Sequence, residues 1–93
     1  MDTYLEVVYS DEASQQLEAL VDSDIRIQED TQAYEWLISR DPENLGTPFV
    51  LGDKTVFVFI TESSPEGLPP IVVTYLVQRD RHRILVIDIR LLP

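Results

Sequence analysis

The sequence predicts an α+β domain: a single antiparallel-rich four-stranded sheet with two N-terminal helices packed on one face. Three observations predict it. Two β-branched-rich runs, Ile71–Gln78 and Arg83–Leu91, flank a short charged connection, Arg79-Asp80-Arg81-His82, which is a β-hairpin signal. Apolar residues recur at helical spacing only upstream, between Ala13 and Ile38. The two kinds of pattern are segregated rather than alternating, in the order β-α-α-β-β-β, which is the mark of an α+β fold.

Taken in order, Tyr4-Leu5-Glu6-Val7-Val8-Tyr9 reads as a first strand with Leu5, Val7 and Tyr9 on one face. Ser10 then offers a hydroxyl for a helix N-cap, and Asp11-Glu12 place acids in the first turn, where the helix dipole favours them. Ala13, Leu17, Leu20 and Val21 form the apolar stripe of a helix of about three turns. Asp22-Ser23-Asp24 breaks it and supplies caps for a second helix, expected from about Asp24 to Ile38. Its stripe is Ile27, Thr31, Tyr34, Leu37 and Ile38, whereas Ile25 and Trp36 share another face with Glu29 and Gln32. Trp36 is either covered by the loop that follows or left partly open for a partner.

Residues 39–54 read as a long loop, punctuated by Asp41-Pro42, Gly46, Pro48 and Gly52-Asp53. Loops of this length in a small domain are often functional. Thr55–Thr61 is the next strand, and the proline-rich stretch Glu62–Pro70 is a surface connection into the closing hairpin. The last three strands form a meander, and the first strand joins it at an edge or at the centre. With 93 residues and no linker, repeat or low-complexity tract, residues 1–93 are expected to form one domain.

Composition removes several function classes. There is no cysteine, so disulfides, thiolate chemistry and cysteine-based zinc sites are excluded, and the lone His82 reads as a solvated turn residue. No run approaches the ~20 apolar residues that span a bilayer. Met1-Asp2-Thr3-Tyr4 lacks the basic start of a signal peptide, so a cytoplasmic location with no membrane partner is expected. Charge says most. The net charge is −10; residues 1–53 carry thirteen acids and two bases, a net −11, and residues 54–93 carry four acids and five bases. Such a field repels phosphate backbones and attracts cations or basic proteins, so no nucleic-acid partner is expected.

Oxygen-rich segments make Ca²⁺ the candidate cofactor. Calcium takes six to eight oxygens, mostly carboxylates and carbonyls, on a chain that can curl. Asp41, Glu43 and Asn44, with Asp53 further on, are the first candidate set. Asp41 and Glu43 at positions one and three and Gly46 at position six echo an EF-hand loop, but Leu45 and Gly52 stand at positions five and twelve, so it is not one. Asp22 and Asp24 are the second set, for which helix capping is the simpler account. No catalytic constellation, phosphate loop or dinucleotide fingerprint is present. Asp88 and Arg90 read as polar positions on the more exposed side of the last strand.

The opening Tyr4-Leu5-Glu6-Val7-Val8-Tyr9-Ser10-Asp11-Glu12-Ala13, the two helices, and the closing Val72–Val77 and Ile84–Arg90 runs resemble the RelE/ParE superfamily of small toxins from toxin–antitoxin pairs. That resemblance implies the β-α-α-β-β-β fold and a life spent bound to a protein partner. Members that cleave mRNA carry a Tyr-Arg pair where this chain has Ile71-Val72, and end in basic and tyrosine residues where it has Arg90-Leu91-Leu92-Pro93. Ribonuclease activity is therefore not expected. In size, acidity and lack of cysteine the chain is also similar to small acidic calcium-binding proteins of cyanobacteria. Two functions are thus expected in order: Ca²⁺ binding through surface carboxylates as a buffer or sensor, or protein binding by a toxin–antitoxin-like component.

Overall fold

The computed structural model describes residues 4–62 and 67–92; the opening Met1-Asp2-Thr3 and the middle of the Glu62–Pro70 connection lie outside the described residues. The α+β class holds, but the sheet has five strands and is mixed. Its elements are β1 (Glu6–Tyr9), α1 (Asp11–Ser23), α2 (Ile27–Arg40), α3 (Pro42–Leu45), β2 (Thr47–Leu51), β3 (Lys54–Ile60), β4 (Ile71–Gln78) and β5 (Arg83–Leu91). The strand order is β1-β5-β4-β3-β2. β1 is an edge strand and runs parallel to β5, with Val7 opposite Ile84 and Tyr9 opposite Val86. The other three pairings are antiparallel.

The extra strand comes from the segment expected to be loop. Asp41-Pro42 does not merely turn the chain: Pro42 opens the single-turn helix α3, where its missing N–H costs nothing. Gly52 has φ +65° and Asp53 does not share a positive φ, which makes the two-residue connection between β2 and β3 a type II′ hairpin turn. In such a hairpin Leu51 and Lys54 exchange hydrogen bonds, so Phe49 and Thr47 also point their backbone groups at β3. Pro48 then falls where its absent N–H faces outward, the one place a strand tolerates proline.

α1 begins as its sequence demands, with Ser10 Oγ accepting from Ala13 N at 3.1 Å. α2 starts at Ile27 rather than near Asp24, because Asp24 caps the end of α1 and ties down Arg26 through both its backbone and its guanidinium. Four of the five stripe residues, Ile27, Thr31, Tyr34 and Ile38, are buried; Leu37 is 39% exposed. Trp36 is 57% exposed, uncovered by the segment that follows, with the Arg40 guanidinium 3.9 Å above its ring.

The core lies between the helices and one sheet face. Ile71, Val73 and Tyr75 of β4 alternate into it, as do Ile84 and Val86 of β5, and then Ile89. The step from 86 to 89 marks a bulge: Tyr75 opposes Val86, Thr74 opposes Asp88, and Ile87 is the extra residue. Beyond the end of β1, the outer edge of β5 is met by α1. Gln16 accepts from Ile89 N at 2.9 Å and donates to Asp88 Oδ1 at 3.1 Å. Asp88 and Arg90 pair with each other along β5, at 2.8 Å, on its more exposed side.

Candidate functional site

The metal candidates are scattered by the fold. Asp24 forms an ion pair with Arg26 at 2.6 Å, which holds its carboxyl below the usual carboxylate range. Asp22 is exposed in the last turn of α1. Asp41 and Asn44 do come together, Asn44 Nδ2 donating to Asp41 Oδ1 at 2.9 Å. Glu43 in the same turn is taken by Arg79 in an ion pair. Asp53 sits in the β2–β3 turn, at the far end of a five-residue strand and so roughly 17 Å from α3. Asp24 and Asp41 bracket the fourteen residues of α2, about 20 Å of helix. Among the described residues, no group of three His, Cys, Asp or Glu side chains is placed to hold a metal ion.

The acids do share a layer. Residues 11–45, which make up the helices and their turns, carry ten acids and two bases, a net −8. Among the described residues outside that span, five acids are matched by five bases. The acidic half of the sequence has become one side of the molecule.

An apolar groove of about 410 Å³ opens between α2 and β3. Ala33 and Leu37 of α2 form one wall, Phe59 of β3 the floor and the Ile60 backbone its rim, and Asp30 and Glu62 stand among its lining residues. A second hollow, of about 340 Å³, shares Phe59 and Ile60 and is lined as well by Leu45 and Phe49. Ile60, 50% exposed, is the ridge between them. It is also where β3 outruns its neighbour: β2 pairs no further along β3 than Val58, opposite Thr47. Thr61 N donates to Ile71 O at 3.0 Å, so Thr61 and Phe59 aim their backbone groups at β4. The N–H and C=O of Ile60 therefore aim the other way, out of the sheet into the groove's edge.

The groove's walls are pinned from behind. Tyr75 stacks on Phe57 with ring centroids 5.8 Å apart and donates a buried hydrogen bond of 2.6 Å to Pro42 O. This fastens α3, and with it Leu45, to the sheet. A Cβ at Gly46 would lie 2.4 Å from the Tyr75 hydroxyl and 2.9 Å from Phe57 Cβ, so only glycine permits this approach. Burial pushes the Tyr75 phenol up to about 12. On the other wall, Tyr9 donates to Glu35 Oε2 at 2.6 Å and shares a 2.7 Å hydrogen bond with Tyr34. Burial raises both phenols, Tyr34 to about 12. These groups are satisfied, with no buried side-chain polar atom left unpartnered among the described residues.

The groove was not among the sequence's candidate sites, although Leu37 beside Ile38 widens the α2 stripe beyond one face and was its available signal. The fold and groove define a small α+β domain with an open mixed sheet and an unfilled apolar edge. Comparison with known protein families, with curated proteins and with solved structures finds no match. Neither resemblance drawn from the sequence gains support from these comparisons. No described helix is long and apolar enough to cross a membrane.

Proposed function

We propose that the protein is a binding module whose partner is another protein, engaged through an extended segment with apolar side chains and basic flanks. One observation carries the reading: an apolar groove with acids among its lining residues ends at a strand edge whose Ile60 N–H and C=O point outward. Addition of a strand at such an edge gives main-chain affinity, while the flanking hollows select side chains. The acidic helix layer steers a basic segment toward it. The exposed Trp36 face of α2 extends the available surface.

Fluorescein-labelled peptides of alternating valine and lysine, titrated by anisotropy, test this. Binding should saturate, weaken as salt rises from ~0.05 to ~0.5 M, and move the amide resonances of Leu37, Ile60 and Thr61. The double variant Asp30→Asn, Glu62→Gln should weaken it several-fold. No saturation below ~1 mM peptide, or shifts spread over the helix layer without Ile60, would refute the reading.

A second reading is Ca²⁺ held by surface carboxylates, as a buffer or sensor. The net −8 of the helix layer favours it, as does the single turn that Asp41, Glu43 and Asn44 share. Glu43 must first leave Arg79, which suits an affinity near ~10⁻⁵ M rather than tighter. Calorimetric titration with CaCl₂ decides: Arg79→Ala should tighten binding, and a flat trace for both proteins removes the idea.

A further inference from the structure

The sheet has a second face, turned away from the helices. Strand alternation and register place Val8, Leu85, Leu76, Val72, Val58 and Val56 on it, running from β1 across to β3. All but Val56 remain partly open to solvent. Val56 is only 6% exposed yet stands outside the cluster that forms the core, so it is buried on this other side, opposite Phe49. The face is thus an apolar sheet surface with a packed kernel. Its charges are Glu6 opposite Arg83 with Lys54 toward one end, and Asp88 paired with Arg90 on the β5 margin, opposite Thr74 and Val72.

We infer that two copies of the chain pack sheet to sheet through this face, giving a sandwich with the acidic helix layers outermost. Three quantities select a second copy over a charged partner. First, the strands and their turns carry no net charge among the described residues, so nothing steers a basic or acidic protein to this side. Second, the arrangement tolerates the net charge of −10. Stacked sheets lie ~10 Å apart and each helix layer ~10 Å further out, so the two acidic layers stand about 30 Å apart, several Debye lengths in ~0.15 M salt. Third, the size is right. The five strands, of four, five, seven, eight and nine residues, at ~3.3 Å rise and ~4.8 Å spacing give a flat plan area of about 520 Å², which side-chain relief raises toward the ~600–1,000 Å² per partner of stable interfaces. The molecule itself is a slab only 22 Å through its thinnest direction, against 36 and 33 Å across, the proportions of half a sandwich. The inference does not use the groove between α2 and β3, which faces the helix side, although Val58 and Ile60 of this face also line the second hollow.

Sedimentation equilibrium of the full chain tests it. The expected mass is twice 10.7 kDa, falling by half in Leu76→Lys and in Leu85→Lys with the far-ultraviolet circular dichroism unchanged. Leu37→Lys, in the groove, should leave the mass doubled. Where either sheet variant fails to fold, a soluble paramagnetic agent added to the wild type gives the answer: methyl signals of Leu76, Leu85 and Val8 are shielded in the dimer, while those of Leu37 are broadened. A mass of one chain up to ~0.5 mM, a doubled mass that survives both sheet substitutions, or broadening of the Leu76 and Leu85 methyls overturns the inference.

Discussion

Gly46→Ala is the sharpest test of how the groove is held. The backbone at Gly46, φ −89° and ψ 153°, suits any residue, so the cost is purely steric. The new Cβ would stand 2.4 Å from the Tyr75 hydroxyl and 2.9 Å from Phe57 Cβ. The Tyr75 ring is buried and stacked, and its hydroxyl is committed to Pro42 O, so it has no free space to swing into. Either the hydrogen bond breaks, at about 1–3 kcal/mol for a buried acceptor, or α3 lifts and strains the packing, at about 1–3 kcal/mol. Whichever is cheaper sets the cost, so we expect about 1–3 kcal/mol, a sizeable share of the ~5–14 kcal/mol of a domain this size. Urea unfolding followed by Trp36 fluorescence measures it. The companion variant Tyr75→Phe removes the atom nearest the new methyl, so Gly46→Ala should cost about 1 kcal/mol less in that background. A neutral Gly46→Ala, or strict additivity of the two substitutions, would refute the clamp.

Ser10→Ala removes the acceptor for Ala13 N and should cost about 1 kcal/mol in urea unfolding, Ser10→Gly less. Arg90, and to a lesser degree Gln16, hold the Asp88 carboxyl below the usual carboxylate range. The folded state therefore binds fewer protons than the unfolded one near and below pH ~4, and stability falls as pH drops through that window. Asp88→Asn should flatten that part of the stability-against-pH curve, and an unchanged slope would count against the pairing. At the alkaline end the sign reverses. Tyr34 and Tyr75 are pushed up to about 12 and Tyr9 is raised as well, chiefly by burial, so the unfolded chain gives up these protons first. Stability should decline above pH ~10, and absorbance at 295 nm should show these tyrosines ionising together with loss of circular dichroism, not before it.

How much of this was legible in the sequence depends on whether the deciding interaction is local. Ser10 with Asp11-Glu12 states its own helix start, and the apolar alternation of β4 and β5 states a hairpin; both stand as read. The stretch from Asp41 to Asp53 was misjudged because Pro42, Gly46, Pro48 and Gly52 all read as breaks. Each in fact serves an ordered element: a helix start, a close approach, an outward-facing edge position and a tight turn. Whether β1 lay at an edge or inside depended on pairing with residues some 77 positions away, Glu6 with Arg83, which no local pattern reveals. The same limit governs the sites. Asp24 and Glu43 look available in sequence, but Arg26 and Arg79 claim them in space. The groove exists only because β3 extends past β2, a mismatch in strand length that appears once both strands are placed.

Gln16 has a consequence beyond packing. Its amide oxygen accepts from the Ile89 N–H and its nitrogen donates to the Asp88 carboxylate, covering the part of β5 that lies beyond the end of β1. At the opposite margin the Pro48 ring removes a main-chain donor from β2. A carboxamide over the length of β5 that β1 leaves unpaired and a pyrrolidine on the edge strand β2 each break the run of free main-chain groups, so chains crowded at high concentration find a shorter template for ribbon-like stacking at both places. Gln16→Val would free the Ile89 N–H on that stretch of β5, and fibril-sensitive dye fluorescence would be expected to rise.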